Sequence, residues 1–422
     1  MFTRRQFLTR TLQGSSLLAF GSVVPEFLAN TARAAEKGKD TVLVVIELNG
    51  GNDGLNTVIP YADDLYQKYR PTLRYGKDQV VRLNDQLGLN PGMGSFRQLW
   101  DQGQLAVVQG VGYPNPDRSH FESMDIWQTA DPRRNIKSGW LGRSVNELQG
   151  QGGFVPIVHI GSDRQPPAVQ GTPGGAVSIN NRQPFRLELG GGTVARRNAR
   201  RKLLEELSAP EKGENADDIL QFVRLRQLRT MTSVERLQEL LSRQRAQPNT
   251  LFGPDGPYQA NSLPVQLQLV ANLIITGFGT RIFYVMLSGF DTHVTQSDTH
   301  RKLLAQVADG IANMFNTLKN GGHDKRVLVM TFSEFGRRVQ ENDSKGTDHG
   351  AASCLFVAGP ALKGGVVGEH PSLKDLDSGD LKYAVDFRRV YATLLDDWLH
   401  CDSKAVLGDK FESLDGLKPR KA

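Results

Sequence analysis

Six apolar runs separated by helix-like stretches constrain this chain more than any other feature. TVLVVIEL (41–48) is a continuous β-branched run, as a strand buried on both faces requires. LAVVQGVG (105–112), FVPIVHI (154–160), RIFYVML (281–287), RVLVMTF (326–332) and CLFVAG (354–359) share that character. Between them lie the helical patterns SFRQLWDQ, FESMDIWQTA, ARRKLLEELS, ADDILQFVRLRQLRTMTSVERLQELLSRQ, HRKLLAQVADGIANMFNTLK and DFRRVYATLLDDWL. Strands alternating with helices predict an α/β fold with a mostly parallel sheet covered on both sides. Ligands of such sheets gather outside the carboxyl ends of the strands, so chemistry is sought in the residues that follow each run.

The first 34 residues are read apart from the fold. Arg4-Arg5 followed by Gln6-Phe7-Leu8 resembles a twin-arginine export signal, with an apolar core from Leu12 to Val24 and Ala32-Arg33-Ala34 at a cleavage site. The alternative is an uncleaved amphipathic helix or anchor. That core is too short to span a bilayer, and no later segment approaches ~20 uninterrupted apolar residues. A soluble mature protein, periplasmic or otherwise extracytoplasmic, is therefore expected, with no stable membrane insertion after cleavage. Its partner during export would be the twin-arginine translocase. That route moves folded proteins, so a metal could be loaded in the cytoplasm.

The leader holds Arg4, Arg5, Arg10 and Arg33 against Glu26, which leaves 47 basic and 44 acidic residues. So even a balance excludes a nucleic-acid footprint. Cys354 and Cys401 make no disulfide framework, and Cys354 is expected to be a small core residue. Residues 35–422 are read as one elaborated domain. Within it, 195–247 is rich in Arg, Glu, Leu and Gln and predicts a helical excursion with a solvated, charged face. The loop PNTLFGPDGPYQANSLP (248–264) would end it. Gly190-Gly191-Gly192 reads as a turn, and no Walker or dinucleotide fingerprint is present.

Four polar clusters occupy strand ends or helix starts. In LNGGNDGLNT (48–57) glycines let the chain turn tightly and leave Asp53 projecting, either into a site or as an Asp-Gly turn bonded to its own backbone. In PDRSHFESMDIW (116–127), Asp117, Ser119 or both can cap a helix beginning near Phe121, and Ser119 would also stand where helix amides stabilise an anion. In SGFDTHVTQSDTH (288–300), Asp291 and His293 form a carboxylate–imidazole pair suited to first-row metals. His300 would support them or face solvent. Lastly, RVLVMTF delivers Glu334, and the loop RRVQENDSK returns the chain to Asp348-His349 before the next strand. Glu334 and His349 are expected to meet above the same sheet edge as Asp53, Asp291 and His293.

The leader, ELNGGNDGLNTVIPY, RSHFESMDIWQ, SGWLGR, SGFDTHVTQ, TFSEFGRR, TDHGAAS and DFRRVYATLLDDWL together resemble the exported family called domain of unknown function 1501. That family is placed in the alkaline-phosphatase and sulfatase-like superfamily. The resemblance implies a doubly wound α/β fold and a metal-centred hydrolytic site. It makes Ser119 the nucleophile, Asp291 and His293 ligands of one metal, and Asp53, Glu334 and His349 the remaining ligands. Glu334 doubles as a catalytic residue. Phe335 stands where the pattern has a partner histidine, so a second metal site should bind weakly or be lost. The sulfatase Cys/Ser-x-Pro-x-Arg signature is absent.

The function expected is hydrolysis of an anionic ester, phosphate or sulfate, on a small molecule or polymer. The cofactor would be a divalent ion (zinc, manganese, calcium or magnesium), with one metal or none as the expected count. Arg118, Arg337 and Arg338 would hold the substrate through planar N–H pairs. The rival reading is a non-catalytic exported binding protein that keeps the fold with a degenerate metal site.

Overall fold

The computed structural model describes residues 41–148, 155–161, 165–171, 176–179 and 262–420. The leader, the expected excursion over 195–247, most of the loop after it and the turn expected at Gly190–Gly192 lie outside them. All six apolar runs form strands: β1 (Val42–Asn49), β2 (Leu105–Gly112) and β3 (Ile157–Ile160), then β5 (Ile282–Ser288), β6 (Val327–Phe332) and β7 (Ser353–Ala358). Three short strands complete the sheet: β4 (Val177–Ile179), β8 (Gly365–Val367) and β9 (Val385–Asp386). Segments of two or three residues carry too few side chains for a period to register.

Among the described residues the α-helices are α1 (Gly54–Thr57), α2 (Asp64–Tyr69), α3 (Phe96–Asp101), α4 (His120–Thr129), α5 (Trp140–Glu147), α6 (Leu263–Ile275), α7 (Gln296–Asn320), α8 (Phe387–Thr393) and α9 (Ser403–Leu407). The sequence pattern does not announce α6. Its LPVQLQLVANLII is buried on most sides between β5 and α7, so it lacks the polar stripe that marks a surface helix.

Strand order is β8-β2-β7-β6-β1-β5-β3-β4, with β9 beside β2. β1 lies parallel to β5 and β6, with Val44 opposite Phe283 and Val329. Alternate residues of β1 enter opposite cores. Val42, Val44 and Ile46 pack with α3, α6 and α7, while Leu43 and Val45 pack with α4, α5 and α8. Each such side chain, fully withdrawn from water, contributes about 1.5–3 kcal/mol. Helices thus cover both faces, as a doubly wound sheet requires.

One strand breaks the parallel run. β7 is antiparallel to both β2 and β6, because no crossover helix separates it from β6. The 333–352 loop therefore leaves and re-enters the sheet at the same edge. The carboxyl ends of β1, β2, β5 and β6 lie at that edge, and so does the start of β7. This topology brings Asp291, His293, Glu334 and His349 to one edge.

Candidate metal centre

The connections at this edge pack tightly. Gly50 and Gly51 after β1 have φ of 121° and 76°. A Cβ on Gly50 would lie 2.4 Å from the Asp291 amide nitrogen, and one on Gly51 2.3 Å from Phe335 Cε2. Only glycine lets β1's loop approach so closely. His120 opens α4, Asp291 follows β5, Glu334 follows β6 and His349 precedes β7. Asp291 Oδ1 lies 3.5 Å from His120 Nε2, 3.3 Å from His349 Nε2 and 3.0 Å from His293 Nε2. The ligand atoms of His120, Asp291 and His349 all fall within 4.8 Å of one another.

Hydrogen bonds on the far side of each ring fix the tautomers. His120 Nδ1 lies 2.8 Å from Glu334 Oε1, and a carboxylate can only accept, so Nδ1 carries the proton. His349 Nδ1 lies 2.8 Å from the Arg118 carbonyl, which also only accepts. His293 Nδ1 faces Asp348 Oδ1 at 3.3 Å. All three rings thus turn Nε2, the atom that can coordinate, toward one carboxylate oxygen. His293 Nε2 and His349 Nε2 are 3.0 Å apart, a distance at which two lone pairs need a proton or cation between them. His120 Nε2 is buried and has no hydrogen-bond partner at all. Nitrogen and oxygen donors converging in this way fit a divalent first-row cation.

The surroundings shift each group differently. Burial works against the charged Asp291 carboxyl, but the Arg337 hydrogen bond and charge, with His349, bring it down to about 2. The hydrogen bond to Glu334 raises His120, against the effect of burial. Burial lowers His349, which favours the neutral imidazole that a metal ligand needs. Phe335 is buried beneath both rings, with centroids 4.9 Å from His120 and 4.7 Å from His349. It supplies no ligand and serves as the plate against which the two imidazoles pack.

The profile described as "Protein of unknown function (DUF1501)" matches residues 40–408. The chain belongs to that family. No curated protein matches this DUF1501 chain. Among solved structures it is similar to a protein of the alkaline phosphatase superfamily from Vibrio parahaemolyticus, at TM-score 0.34 and 10% identity. That match covers 79% of the DUF1501 chain but only 63% of the Vibrio protein. It is also similar to a phosphonate monoester hydrolase from Silicibacter pomeroyi (TM-score 0.39, 11% identity, covering 91% and 78%). A sulfatase from a Pseudoalteromonas species gives TM-score 0.38 at 10% identity, covering 94% and 78%. Likeness at this level carries no argument about activity or substrate.

Several residues of the DUF1501 chain stand elsewhere than the sequence suggests. Asp53, expected as a ligand, is fully buried and caps α1. Arg70 grips both its oxygens, Nη1 to Oδ2 at 2.6 Å and Nη2 to Oδ1 at 3.0 Å, and Gln296 adds a bond of 2.5 Å. Arg337, expected at the substrate, is also buried. Its Nε and Nη1 donate to the Gly51 and Thr347 carbonyls at 2.7 and 2.8 Å. Its Nη2 donates to Gly50 O, to Phe290 O at 3.1 Å and to Asp291 at 2.7 Å. A guanidinium spent on four carbonyls is a clamp between loops, with no donor face left for an ester.

Glu334, expected as ligand and catalytic residue, is buried with Gly50 N–H, His120 and the Ser333 hydroxyl around it. His300 is buried too, its Nε2 2.9 Å from Asn52 Oδ1, and burial pushes it down to about 4. It faces neither solvent nor the cluster. Ser119 occupies the N-cap of α4, but its hydroxyl makes no capping bond, and Asp117 accepts from its N–H instead. Arg118 is paired with Asp380 and remains part-exposed, while Arg338 donates to the Ser378 carbonyl at 3.0 Å. His120 is the residue that sequence reasoning missed. Its signal was present: a histidine at the first helical position after a strand's carboxyl end. Cys354 and Cys401 are free and buried, as core residues. Among the described residues, no helix is long and apolar enough to cross a membrane.

Proposed function

We propose that this DUF1501 protein is an exported, metal-dependent hydrolase of an anionic ester, with His120, Asp291 and His349 holding one divalent cation and His293 at its edge. One observation supports this above the rest: the ligand atoms of His120, Asp291 and His349 converge within 4.8 Å of one another, and His120 Nε2 is buried without a hydrogen-bond partner. Bound there, a divalent cation would supply a Lewis acid for an ester oxygen. The chain's own residues have separate tasks. Ser119, its hydroxyl free of capping duty, attacks the ester or orients water beside His120, at a helix end whose amides favour an anion. Arg118 and Arg338, both beside Asp380, keep exposed cationic surface for an anion. The choice of a phosphate or sulfate ester rests on the family resemblance of the motifs, as does export through the twin-arginine route.

A second reading is an exported binding protein without chemistry. The diversion of Asp53 and Arg337 to buried packing favours it, since each is one fewer group for catalysis. Hydrolysis of phenyl phosphate and phenyl sulfate, with and without chelator, separates the two. The enzyme reading expects turnover that chelator abolishes and zinc or manganese restores, and a collapse of kcat in Ser119→Ala with little change in KM. Metal-loaded protein that turns over neither ester would leave the binding reading.

A further inference from the structure

We propose that Glu334 is a positioning residue: its buried carboxylate locks the His120 tautomer and so aims Nε2 at Asp291 and His349. This deepens the metal reading above and rests on it for its affinity arm, while its tautomer arm stands alone. Glu334 reaches His120 through Nδ1, whereas Asp291 faces Nε2, so the imidazole stands between the two carboxylates. Glu334 Oε1 is used twice, accepting the Gly50 N–H at 2.8 Å and the His120 Nδ1–H at 2.8 Å. Oε2 lies 2.9 Å from the Ser333 hydroxyl, which is itself 2.8 Å from the Asn52 amide. No side-chain surface of Glu334 is exposed. A carboxylate so enclosed has no free face for a cation, but it holds a ring strongly.

The arrangement follows from the sheet. β1 and β6 are neighbours, so the first residue after β1's end, Gly50, and the second after β6, Glu334, emerge side by side. Phe335, the next residue, lies against the His120 ring at 4.9 Å and blocks its rotation. Glu334 and Phe335 together therefore fix one imidazole by hydrogen bond and by packing. The adjacent acid and aromatic, which in the sequence look like a ligand beside a lost ligand, make one support. Outer carboxylate partners of ligating histidines typically govern metal affinity by ~10–100-fold.

Two variants and two readouts test this. Glu334→Gln keeps an oxygen that can accept from Gly50 and His120, whereas Glu334→Met keeps the bulk and removes the acceptor. Nitrogen-15 NMR of the metal-free protein in alkaline buffer reads the His120 tautomer, and calorimetry with zinc reads affinity. The expected result is a single Nδ1–H tautomer in the wild type and Glu334→Gln, and a lost preference in Glu334→Met. Zinc Kd should rise ~10–100-fold in Glu334→Met and much less in Glu334→Gln. A wild-type His120 protonated on Nε2 would overturn the proposal. So would Glu334→Gln losing zinc as fully as Glu334→Met with its tautomer unchanged, which would make Glu334 a direct ligand. Wild type that binds no zinc ends the metal reading, and the tautomers alone then decide the role of Glu334. If Glu334→Met does not fold, retention of tautomer and zinc by Glu334→Gln supports positioning, and loss of either contradicts it.

Discussion

Asp53→Asn is expected to cost stability and leave metal binding in place. The Asp53 and Arg70 side chains have no exposed surface, and the wild-type pair is bidentate at 2.6 and 3.0 Å. Asparagine keeps the shape but leaves a buried guanidinium uncompensated, a change that typically costs ~3–5 kcal/mol. A second route gives a smaller figure of the same order. Burial pushes the Asp53 carboxyl up, and the Arg70 charge and hydrogen bonds more than reverse it, from 3.8 to about 2. A shift of that size is worth about 2.4 kcal/mol. Because the folded value is depressed, this contribution is present above pH 3.8 and disappears as pH falls toward 2. With about 2.1 cal/mol/K of unfolding entropy per residue, a chain of this length should melt roughly 3–6 °C lower. Calorimetric melts beside metal analysis provide the assay. A variant that melts like the wild type but loses its metal would refute the reasoning and restore Asp53 as a ligand.

Arg337→Lys should cost about 3–5 kcal/mol, since an ammonium cannot reach four carbonyls and Asp291 together; an unchanged urea midpoint would contradict this. Phe335→Ala removes the plate under His120 and His349 and should cost ~3–5 kcal/mol while weakening zinc binding. Equal zinc affinity in that variant would show that the rings need no support. The hydrogen bond that Glu334 accepts favours protonated His120, so zinc must displace a proton and its affinity should rise with pH until the ring is neutral. In the metal-free protein the same shift is stabilising below 6.5 and is lost as pH rises through the raised value. A zinc affinity independent of pH would remove His120 from the ligand set.

The strands were legible because each is buried on both faces and therefore written as an unbroken apolar run. Placing the site at their carboxyl ends followed, and the structure brings Asp291, His293 and His349 together there. The fates of Asp53 and Arg337 were not legible. Whether a charged residue is buried depends on partners far along the chain, Arg70 in one case and the loops after β1 and β5 in the other. His120 was hidden by its neighbour, since the familiar role of Ser119 as a helix cap drew attention one residue too early. Glu334 was placed at the right edge, but sequence could not tell a ligand from a residue that holds one.

The most direct test is zinc titration by calorimetry, with metal analysis of protein purified without chelator. About one equivalent per chain should bind, as a site of a few nitrogen and oxygen donors requires. His120→Ala and His349→Ala should each abolish binding while the fold, read by circular dichroism, persists. Protein that binds no divalent metal, or binds it equally well without His120, would contradict the account.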